Sequence, residues 1–462
     1  MAGGTFTAQN KILPGVYINV ESQPNAVATV GERGVVAIPK ALSWGPTGTV
    51  MEITPGEDTT PYIGYPITAP EARFLLEMMR GTDVSSGPKK ILLFRYTGSS
   101  GAKSTVTGSL TVDGDTLTYT VTAKYDGVRG DDISFEVAAD PDATGYFYVN
   151  TYLAGTLVDR QYVDSVSDVV NNDYATFTLS GDLVNTSVIQ LASGADPTVS
   201  SSDDAAAMTA FEPYTWDVLC YTGTTALTIS AYTAYLQRIN ETLGRKCQLV
   251  IGNTSGQNSK YVISLRNGVK MNDGTTFSAE QAACWLAGAE AGARYNQSLT
   301  YAQYPGAAQA NPKLSYDDQV AAIEAGQIAF IDDFGTVKIL SDINSKTTVT
   351  TAEGAEFKKN RVMRVMNQIC NDCYEHFSTY FIGKVDNNAA GRTLFRAWLI
   401  GYLNAMQAAN GIQNFAAEDV EVLPGEAIDA IVINVIIQPV DSIEKIYMTV
   451  TVDATGVTVA AA

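Results

Sequence analysis

Short apolar runs alternate with stretches of helical periodicity in two separated parts of the chain. Four of these runs are short enough to be strands buried on both faces: 34–39, 90–96, 217–221 and 247–251. Ser278 and Gln281 form a capping box that predicts a helix over 279–294. Pro70 opens another predicted helix, which runs to Arg80. This alternation favours an α/β core in which helices cover the faces of a sheet.

Between the two parts, from Gly98 to Ala195, the apolar positions change to a period of two. Segments such as 116–121 and 174–179 alternate apolar and polar residues between turns rich in Gly, Asp and Asn. Acidic residues outnumber basic ones throughout this region. The pattern predicts an acidic, all-β domain inserted into the α/β core.

Beyond Thr347 two long apolar stripes recur at helical spacing, over 362–380 and 394–406. They predict two amphipathic helices, the first ended by Gly383 and the second by Asn410 and Gly411. Two strand-like segments follow, Ala430–Ile437 and Ile443–Val452, with Pro439 in the turn between them. We therefore predict a C-terminal α+β domain that closes with a β-hairpin.

The second strand of this predicted hairpin lies about ten residues before the last residue, Ala462. A long apolar strand near a chain end is an exposed edge, which soluble proteins normally avoid. Two interpretations remain open from these residues. Either the strand is covered inside its own sheet, or it pairs with another chain.

These patterns predict a fold of mixed class, α/β and α+β, with a discontinuous core. The expected parts are an N-terminal arm at 1–24, the first part of the core at 25–97, the inserted β-rich domain at 98–195, the second part of the core at 196–346, the C-terminal domain at 347–452 and a tail at 453–462.

Charge and composition narrow the classes of partner. Only 17% of the residues are charged, against about 25% in a typical soluble domain, which indicates that much of the surface faces other protein. The net charge of −19 argues against nucleic acid or an anionic membrane as a partner. Five scattered cysteines, an N-terminus without an apolar core and the lack of an apolar run near ~18 residues predict a soluble protein made in a reducing cytosol.

One cluster, Cys370, Cys373 and His376, contains residue types that bind metals. On a helix, however, residues 370 and 376 lie about 9 Å apart along the axis, too far to share a zinc ion at ~2.0–2.3 Å without strain. The chain has one histidine, and it falls in the middle of a predicted helix. We therefore predict packed thiols and a non-catalytic histidine.

Other candidate sites have equally plain structural explanations. The segment Gly252–Gly256 follows a strand but matches neither the dinucleotide fingerprint nor the phosphate loop. The pairs Asp113 with Asp115 and Asp131 with Asp132 are typical of β-turns, although they also resemble calcium ligands. A hydrolase or an oxidoreductase would need a nucleophile–base pair or a cofactor loop. We predict no enzyme activity, no cofactor and no metal.

A basic island stands out in this acidic chain. It comprises Lys358, Lys359, Arg361 and Arg364, and the next predicted helix adds Arg392 and Arg396. The island is either a solvated helix face or a patch that docks an acidic protein surface.

Several long stretches resemble the tail sheath proteins of contractile bacteriophages and phage-tail-like bacteriocins. The most specific are NDGTTFSAEQAACWLAGAEAGARYNQSLT at 272–300, FKKNRVMRVMNQI at 357–369 with YFIGKVDNNAAGR at 380–392, and SIEKIYMTVTV at 442–452. The others lie at 13–22, 123–137 and 211–220. The resemblance is good over the core and the C-terminal domain and weaker over the insertion.

The resemblance implies a building block. Sheath subunits stack as six-fold rings around a tail tube, and contraction drives the tube through the target cell envelope. The implied partners are other copies of this chain, the tail tube protein, and baseplate and tail terminator proteins, without nucleic acid or membrane insertion. Synthesis would take place in the bacterial host cytoplasm. The alternative is a self-assembling shell or surface protein that does not contract.

The resemblance also implies that both chain ends exchange strands with neighbouring subunits, with hinges at 3–11 and 441–442. The expected exchange residues are Val16, Tyr17, Ile18, Val20, Ile446, Tyr447, Met448, Val450 and Val452. The acidic insertion would lie on the outside. The residues expected to face the tube are Lys358, Lys359, Arg361, Arg364, Arg392 and Arg396.

Overall fold

The computed structural model describes residues 30–452, together with the backbone of two short strands near the N-terminus. These are β1 (Gly3–Gly4) and β2 (Val16–Tyr17), which pair in parallel. The expected exchange residues Ile18 and Val20 lie outside the described residues, as does the predicted tail at 453–462.

The remaining strands and helices follow along the chain in four groups. The first group is β3 (Val35–Lys40), β4 (Val50–Ile53), α1 (Thr60–Ile63), α2 (Arg73–Met79) and β5 (Lys90–Arg95). The second is β6 (Lys103–Val112), β7 (Asp115–Asp126), β8 (Ile133–Ala139), β9 (Phe147–Leu153), β10 (Thr156–Val163), β11 (Ala175–Gly181) and β12 (Ile189–Gln190). The third is α3 (Ser201–Phe211), β13 (Val218–Tyr221), α4 (Ala226–Glu241), β14 (Gln248–Gly252), β15 (Val262–Leu265), β16 (Gly268–Met271), β17 (Thr276–Phe277), α5 (Ala279–Gly292), β18 (Ala307–Asn311), α6 (Tyr316–Glu324), β19 (Gln327–Ile328), β20 (Phe330–Asp333) and β21 (Thr336–Ile339). The fourth is α7 (Asn360–Tyr380), α8 (Ala389–Ala408), β22 (Ile412–Gln413), β23 (Val420–Pro424), β24 (Ile431–Val435) and β25 (Gln438–Pro439).

A seven-stranded sheet forms the centre of the core, in the order β19-β15-β14-β13-β3-β5-β4. All neighbours are parallel except β4, which runs antiparallel to β5 at the edge. The four predicted buried strands correspond to β3, β5, β13 and β14, so those predictions are confirmed. Their side chains are almost all buried because helices cover both faces, as is usual for parallel sheets.

Helices α2 and α5 pack on one face of this sheet, and α3 and α4 pack on the other. The predicted capping box begins α5, with the Ser278 amide donating to Gln281 at 3.0 Å. Small residues let α5 approach its neighbour closely. A Cβ atom at Gly288 would lie 1.9 Å from the Met78 carbonyl oxygen, so no larger residue fits there without moving α2.

The predicted all-β insertion is a sandwich of two sheets, ordered β10-β9-β8-β12 and β11-β7-β6. Alternate residues of the strands fill the space between the sheets, including Val121, Phe135 and Val149. The outer face of β6 and β7 carries pairs of threonine and serine hydroxyls that bond to each other across the strands. The mixed α/β and α+β fold class, with its β-rich insertion, is confirmed.

The terminal hairpin prediction is wrong in its pairing. Strand β24 pairs with β23, Val435 beside Val420, and residues 440–452 form no regular element. A hydrogen bond from the Gly425 amide to the Ala430 carbonyl oxygen, 2.9 Å long, closes the loop between β23 and β24. Strand β23 is near β24 in sequence and alternates apolar and polar residues, which suits it to this pairing. The last apolar segment, at 443–452, then has no strand partner among the described residues.

The chain divides into two compact units. The first, called here the body unit, contains Glu32–Tyr374 and residues 440–452. The second, the C-terminal unit, contains Glu375–Pro439. Helix α7 begins in the body unit and ends in the C-terminal unit. None of the described helices has the length and apolarity that a membrane crossing requires.

Candidate functional site

The last described residues, 445–452, form a segment rich in apolar residues that belongs to no helix or strand, called here the C-terminal arm. Its side chains are strongly exposed: 82% for Ile446, 91% for Tyr447, 79% for Met448, 73% for Val450 and 85% for Val452. No strand among the described residues pairs with it. Apolar side chains and free backbone groups in one segment are the features that another chain recognises by strand addition.

Residues 440–444, called here the arm root, behave differently from the arm. Val440, Ser442 and Glu444 are half-buried, whereas Asp441 and Ile443 between them are exposed. This period of two is typical of an extended segment with one face against protein. The Glu444 carboxylate accepts hydrogen bonds from Lys359 Nζ and, at 2.8 Å, from Thr300 Oγ1. The root is therefore attached to the body unit, and the arm is free.

In the C-terminal unit, β23 and β24 form a two-stranded sheet with no further partner among the described residues. Side chains at its margin are exposed, with 47% exposure for Val432, 38% for Val435 and 72% for Ile436. A sheet edge of this kind presents unpaired N–H and C=O groups. Sequence reasoning missed this edge, although the alternation over 420–424 was the signal that marks β23.

Three buried ionisable side chains, Glu290, Asp342 and Arg364, form a cluster inside the body unit, with the half-buried Arg33 at its edge. Arg364 is fully buried and donates from Nη1 to Glu290 and from Nη2 to Asp342 at 2.5 Å. Arg33 Nη2 donates to the Glu290 carbonyl oxygen at 3.3 Å. The cluster connects α5, the loop at 342 and the first turns of α7. These contacts hold the start of α7 against the core.

The two carboxyl groups of this cluster differ in protonation. Burial, reinforced by the negative charge of Asp342, raises the pKa of Glu290 to about 8. Burial acts in the same direction on Asp342, but Arg364 and the Leu299 amide outweigh it and lower the pKa of Asp342. At neutral pH Glu290 therefore holds a proton, while Asp342 carries the charge that balances Arg364.

This assignment predicts a pH dependence for the stability of the body unit. Glu290 has an ordinary pKa of 4.5, so between pH 5 and 8 the folded chain keeps a proton that the unfolded chain has lost. Stability then falls as pH rises, by at most about 1.4 kcal/mol per pH unit from this group. We expect Glu290→Gln, which cannot ionise, to remove that part of the slope. Urea unfolding at several pH values measures it, and parallel slopes for both proteins would contradict the assignment.

Family models match most of the chain. They describe the phage tail sheath protein beta-sandwich domain at residues 99–196, the phage tail sheath protein central domain at 198–345, the phage tail sheath C-terminal domain at 352–453 and the tail sheath protein Gp18 domain III N-terminal region at 33–84. This chain belongs to the phage tail sheath protein family.

Individual sheath proteins and their relatives are similar over nearly the full length. The crystal structure of the sheath tail protein of Desulfitobacterium hafniense is 35% identical, covers 94% of this chain and 99% of its own, and superposes with a TM-score of 0.81. Phage-like element PBSX protein XkdK of Bacillus subtilis (strain 168) is 29% identical over 98% of this chain and 100% of its own. The anti-feeding prophage helical sheath in its contracted state shares the fold, with a TM-score of 0.56, at 12% identity over 96% of this chain and 100% of its own. Members of the family are structural proteins of the tail.

The structure of this sheath protein corrects one of the expected tube-facing residues. Arg364 has no exposed surface, because its guanidinium group is enclosed by Glu290 and Asp342. A charge that is compensated inside the subunit presents nothing to a partner. Since the carboxylates come from positions distant in sequence, no local pattern around residue 364 reveals this pairing.

The other five basic residues that were expected to face the tube are half-buried. Lys358 Nζ donates to the Ile323 carbonyl at 2.6 Å, and Lys359 pairs with Glu444. Burial lowers the pKa of both Lys358 and Arg361. In the C-terminal unit Arg392 Nη1 donates to the Asn387 side chain at 3.0 Å. Arg396 donates to the Val420 and Ala417 carbonyls.

The cysteine and histidine candidates lie in packed surroundings. Burial raises the pKa of both Cys370 and Cys373, that of Cys373 to about 12, so neither thiol is activated. The His376 ring stacks on Trp398 with their centroids 3.8 Å apart, and burial lowers its pKa. The described residues contain no grouping of side chains with the arrangement of a metal site. In the insertion, Asp131 accepts from Ser104 and the Gly194 amide.

Proposed function

We propose that this sheath protein polymerises into the contractile sheath around a phage or phage-like tail tube, and that contraction drives the tube through the target cell envelope. The observation that carries the proposal is the C-terminal arm, five of whose apolar side chains are 73–91% exposed in a described segment without a strand partner. Water-exposed apolar area of this extent in one segment is costly for an isolated subunit, and association with another subunit removes it.

Strand addition is the mode of association that the arm fits best. The open edge of β24 in another copy offers the backbone groups that an added strand needs. Ile446, Tyr447, Met448, Val450 and Val452 are the proposed exchange residues at this end. At the other end they are Val16 and Tyr17, with Ile18 and Val20 from outside the described residues.

Contraction requires that subunits rotate without losing their links. A strand held by backbone bonds in one subunit and joined by a flexible connection to another allows this movement. The hinge expected at 441–442 lies in the arm root, which is attached to the body unit, so the flexible connection is proposed to begin at Lys445, where the exposed arm starts. Many weak contacts repeated around each ring then hold the extended state through multivalency. The fold shared with the contracted anti-feeding prophage sheath supports the same type of cycle here.

The surface that faces the tube is proposed to lie on the C-terminal unit. With Arg364 excluded, Arg392 is the most available of the residues expected to face the tube, since its guanidinium group donates to the exposed Asn387 at the surface of its own unit. Lys358, Lys359, Arg361 and Arg396 contact their own subunit and contribute at most part of their charge. Baseplate and terminator proteins are the proposed partners at the two ends, and synthesis is proposed to occur in the host cytoplasm, with the acidic insertion outermost.

Electron microscopy of the purified protein, alone and with its tail tube protein, tests the proposal. We expect hollow cylinders of six-fold rings, and cylinders filled by a tube when both proteins are present. Arg392→Glu is expected to lower the fraction of filled cylinders, while Arg238→Glu, a surface change in the body unit, leaves it unchanged. Flat sheets or closed shells would favour the non-contractile alternative and would contradict the sheath assignment.

A further inference from the structure

Burial of the last described segment ends at one residue, Glu444. Up to Glu444 the segment alternates between half-buried and exposed side chains, and from Lys445 to Val452 every side chain is exposed. Glu444 is therefore the last described residue whose side chain is not exposed, and its partners Thr300 and Lys359 belong to the body unit.

Both carboxylate oxygens of Glu444 are used. Oε1 accepts from Thr300 Oγ1 at 2.8 Å, and Oε2 accepts from Lys359 Nζ. Only 14% of the Glu444 side chain and 26% of the Lys359 side chain are exposed. A charge-assisted contact with two donors in partial burial fixes a side chain far more firmly than an exposed surface ion pair does.

The Thr300 hydroxyl extends this contact into the interior. While donating to Glu444, it accepts from the Asp342 amide at 2.9 Å. The Asp342 carboxylate in turn holds the Leu299 amide at 2.9 Å and Arg364 at 2.5 Å. An unbroken series of hydrogen bonds thus runs from the arm root to the buried cluster of Glu290, Asp342 and Arg364.

We propose that Glu444 is the positioning residue of the C-terminal arm. Held by Lys359 and Thr300, it clamps the arm root to the body unit and sets the point about which the arm pivots. This inference rests on the proposed function, because it assigns to the arm the role of a link between subunits. It also gives Lys359 a function inside its own subunit, in place of the tube-facing role expected from the sequence.

The clamp matters because it limits the volume that the arm explores. Releasing Glu444 lengthens the free segment at its inner end, and a longer flexible segment has a lower effective concentration at any single acceptor. With the clamp intact, the arms of all copies leave their subunits in the same direction. Neighbours in a ring are then joined at equivalent positions.

Nitrogen-15 relaxation of the backbone in the unassembled, full-length protein tests the clamp directly. We expect Glu444→Ala to lower the backbone order parameters over 441–445 to below about 0.6, the range of flexible segments, because the side chain that holds the arm root is lost. Lys445→Ala removes an exposed side chain at the next position, and it should leave the order parameters unchanged. Lys359→Met should reproduce the effect of Glu444→Ala from the other partner.

A charge swap supplies the rescue. Lys359→Glu combined with Glu444→Lys should restore much of the backbone order at 441–445, while each single change lowers it. Wild-type order parameters in Glu444→Ala, or a decrease spread over the whole body unit, would overturn the proposal. Its failure is distinct from failure of the proposed function, since backbone order is measured before assembly and the role of the arm is measured by polymer formation in arm-deleted protein.

Discussion

A chain ending at Lys445 is expected to fold normally and to form no sheath. The deleted residues include the exposed apolar side chains of the C-terminal arm, which pair with no described element of their own subunit. Their loss should change the free energy of unfolding by no more than about 0.5 kcal/mol, the usual range for surface positions. Polymers should disappear because each subunit loses the strand that it adds to a neighbour. Light scattering after size-exclusion chromatography and electron microscopy measure this.

Proline substitutions separate backbone pairing from side-chain contact. Successive N–H groups of a strand point to opposite edges. Of the two single variants Tyr447→Pro and Met448→Pro, one therefore removes an N–H donor that faces the strand of the neighbouring subunit. We expect at least one of them to block polymerisation. The matched controls Tyr447→Ala and Met448→Ala keep both amides and should retain measurable polymer. Normal cylinders from the shortened chain would refute the role of the arm.

The second large effect is expected inside the body unit, at Arg364. Replacing it with alanine leaves the Asp342 charge buried without its cation, and we expect a loss of about 3–5 kcal/mol in the free energy of unfolding. Arg364→Lys should fall between the wild type and alanine, because one ammonium group cannot bond to Glu290 and Asp342 in the forked geometry of a guanidinium group.

Tryptophan fluorescence during urea unfolding measures this loss, since Trp44, Trp216 and Trp285 are all buried in the body unit. Arg392→Ala serves as the control, because its contacts with Asn387 are exposed and should be worth no more than about 1 kcal/mol. If the urea midpoint of unfolding for Arg364→Ala equals that of the control, the buried cluster does not hold α7 against the core.

Much of the fold could be predicted from local patterns. The buried strands β3, β5, β13 and β14 are recognisable in the sequence as short apolar runs. The start of α5 is encoded by Ser278 and Gln281 within a single turn. The apolar stripes of α7 and α8 were likewise visible at helical spacing. Each of these features depends on residues a few positions apart, whose preferences persist in any tertiary setting.

Two features at the candidate site could not be predicted in this way. Residues 443–452 have the composition of a strand, but whether they pair with β24 depends on which strand lies beside it in space, and that strand is β23. In the sequence, Arg364 belongs to a basic island. Its partners Glu290 and Asp342 lie 74 and 22 positions away, and only the fold brings them into contact with it.

The sequence by itself determined the strands, the helices, the all-β insertion and the apolar character of the last segment, because periodicity and capping act within a few residues. Only the tertiary structure decided that this segment has no partner among the described residues, that Glu444 anchors its root and that Arg364 is buried. Those outcomes depend on packing between distant parts of the chain, where burial and charge compensation are determined by neighbours in space.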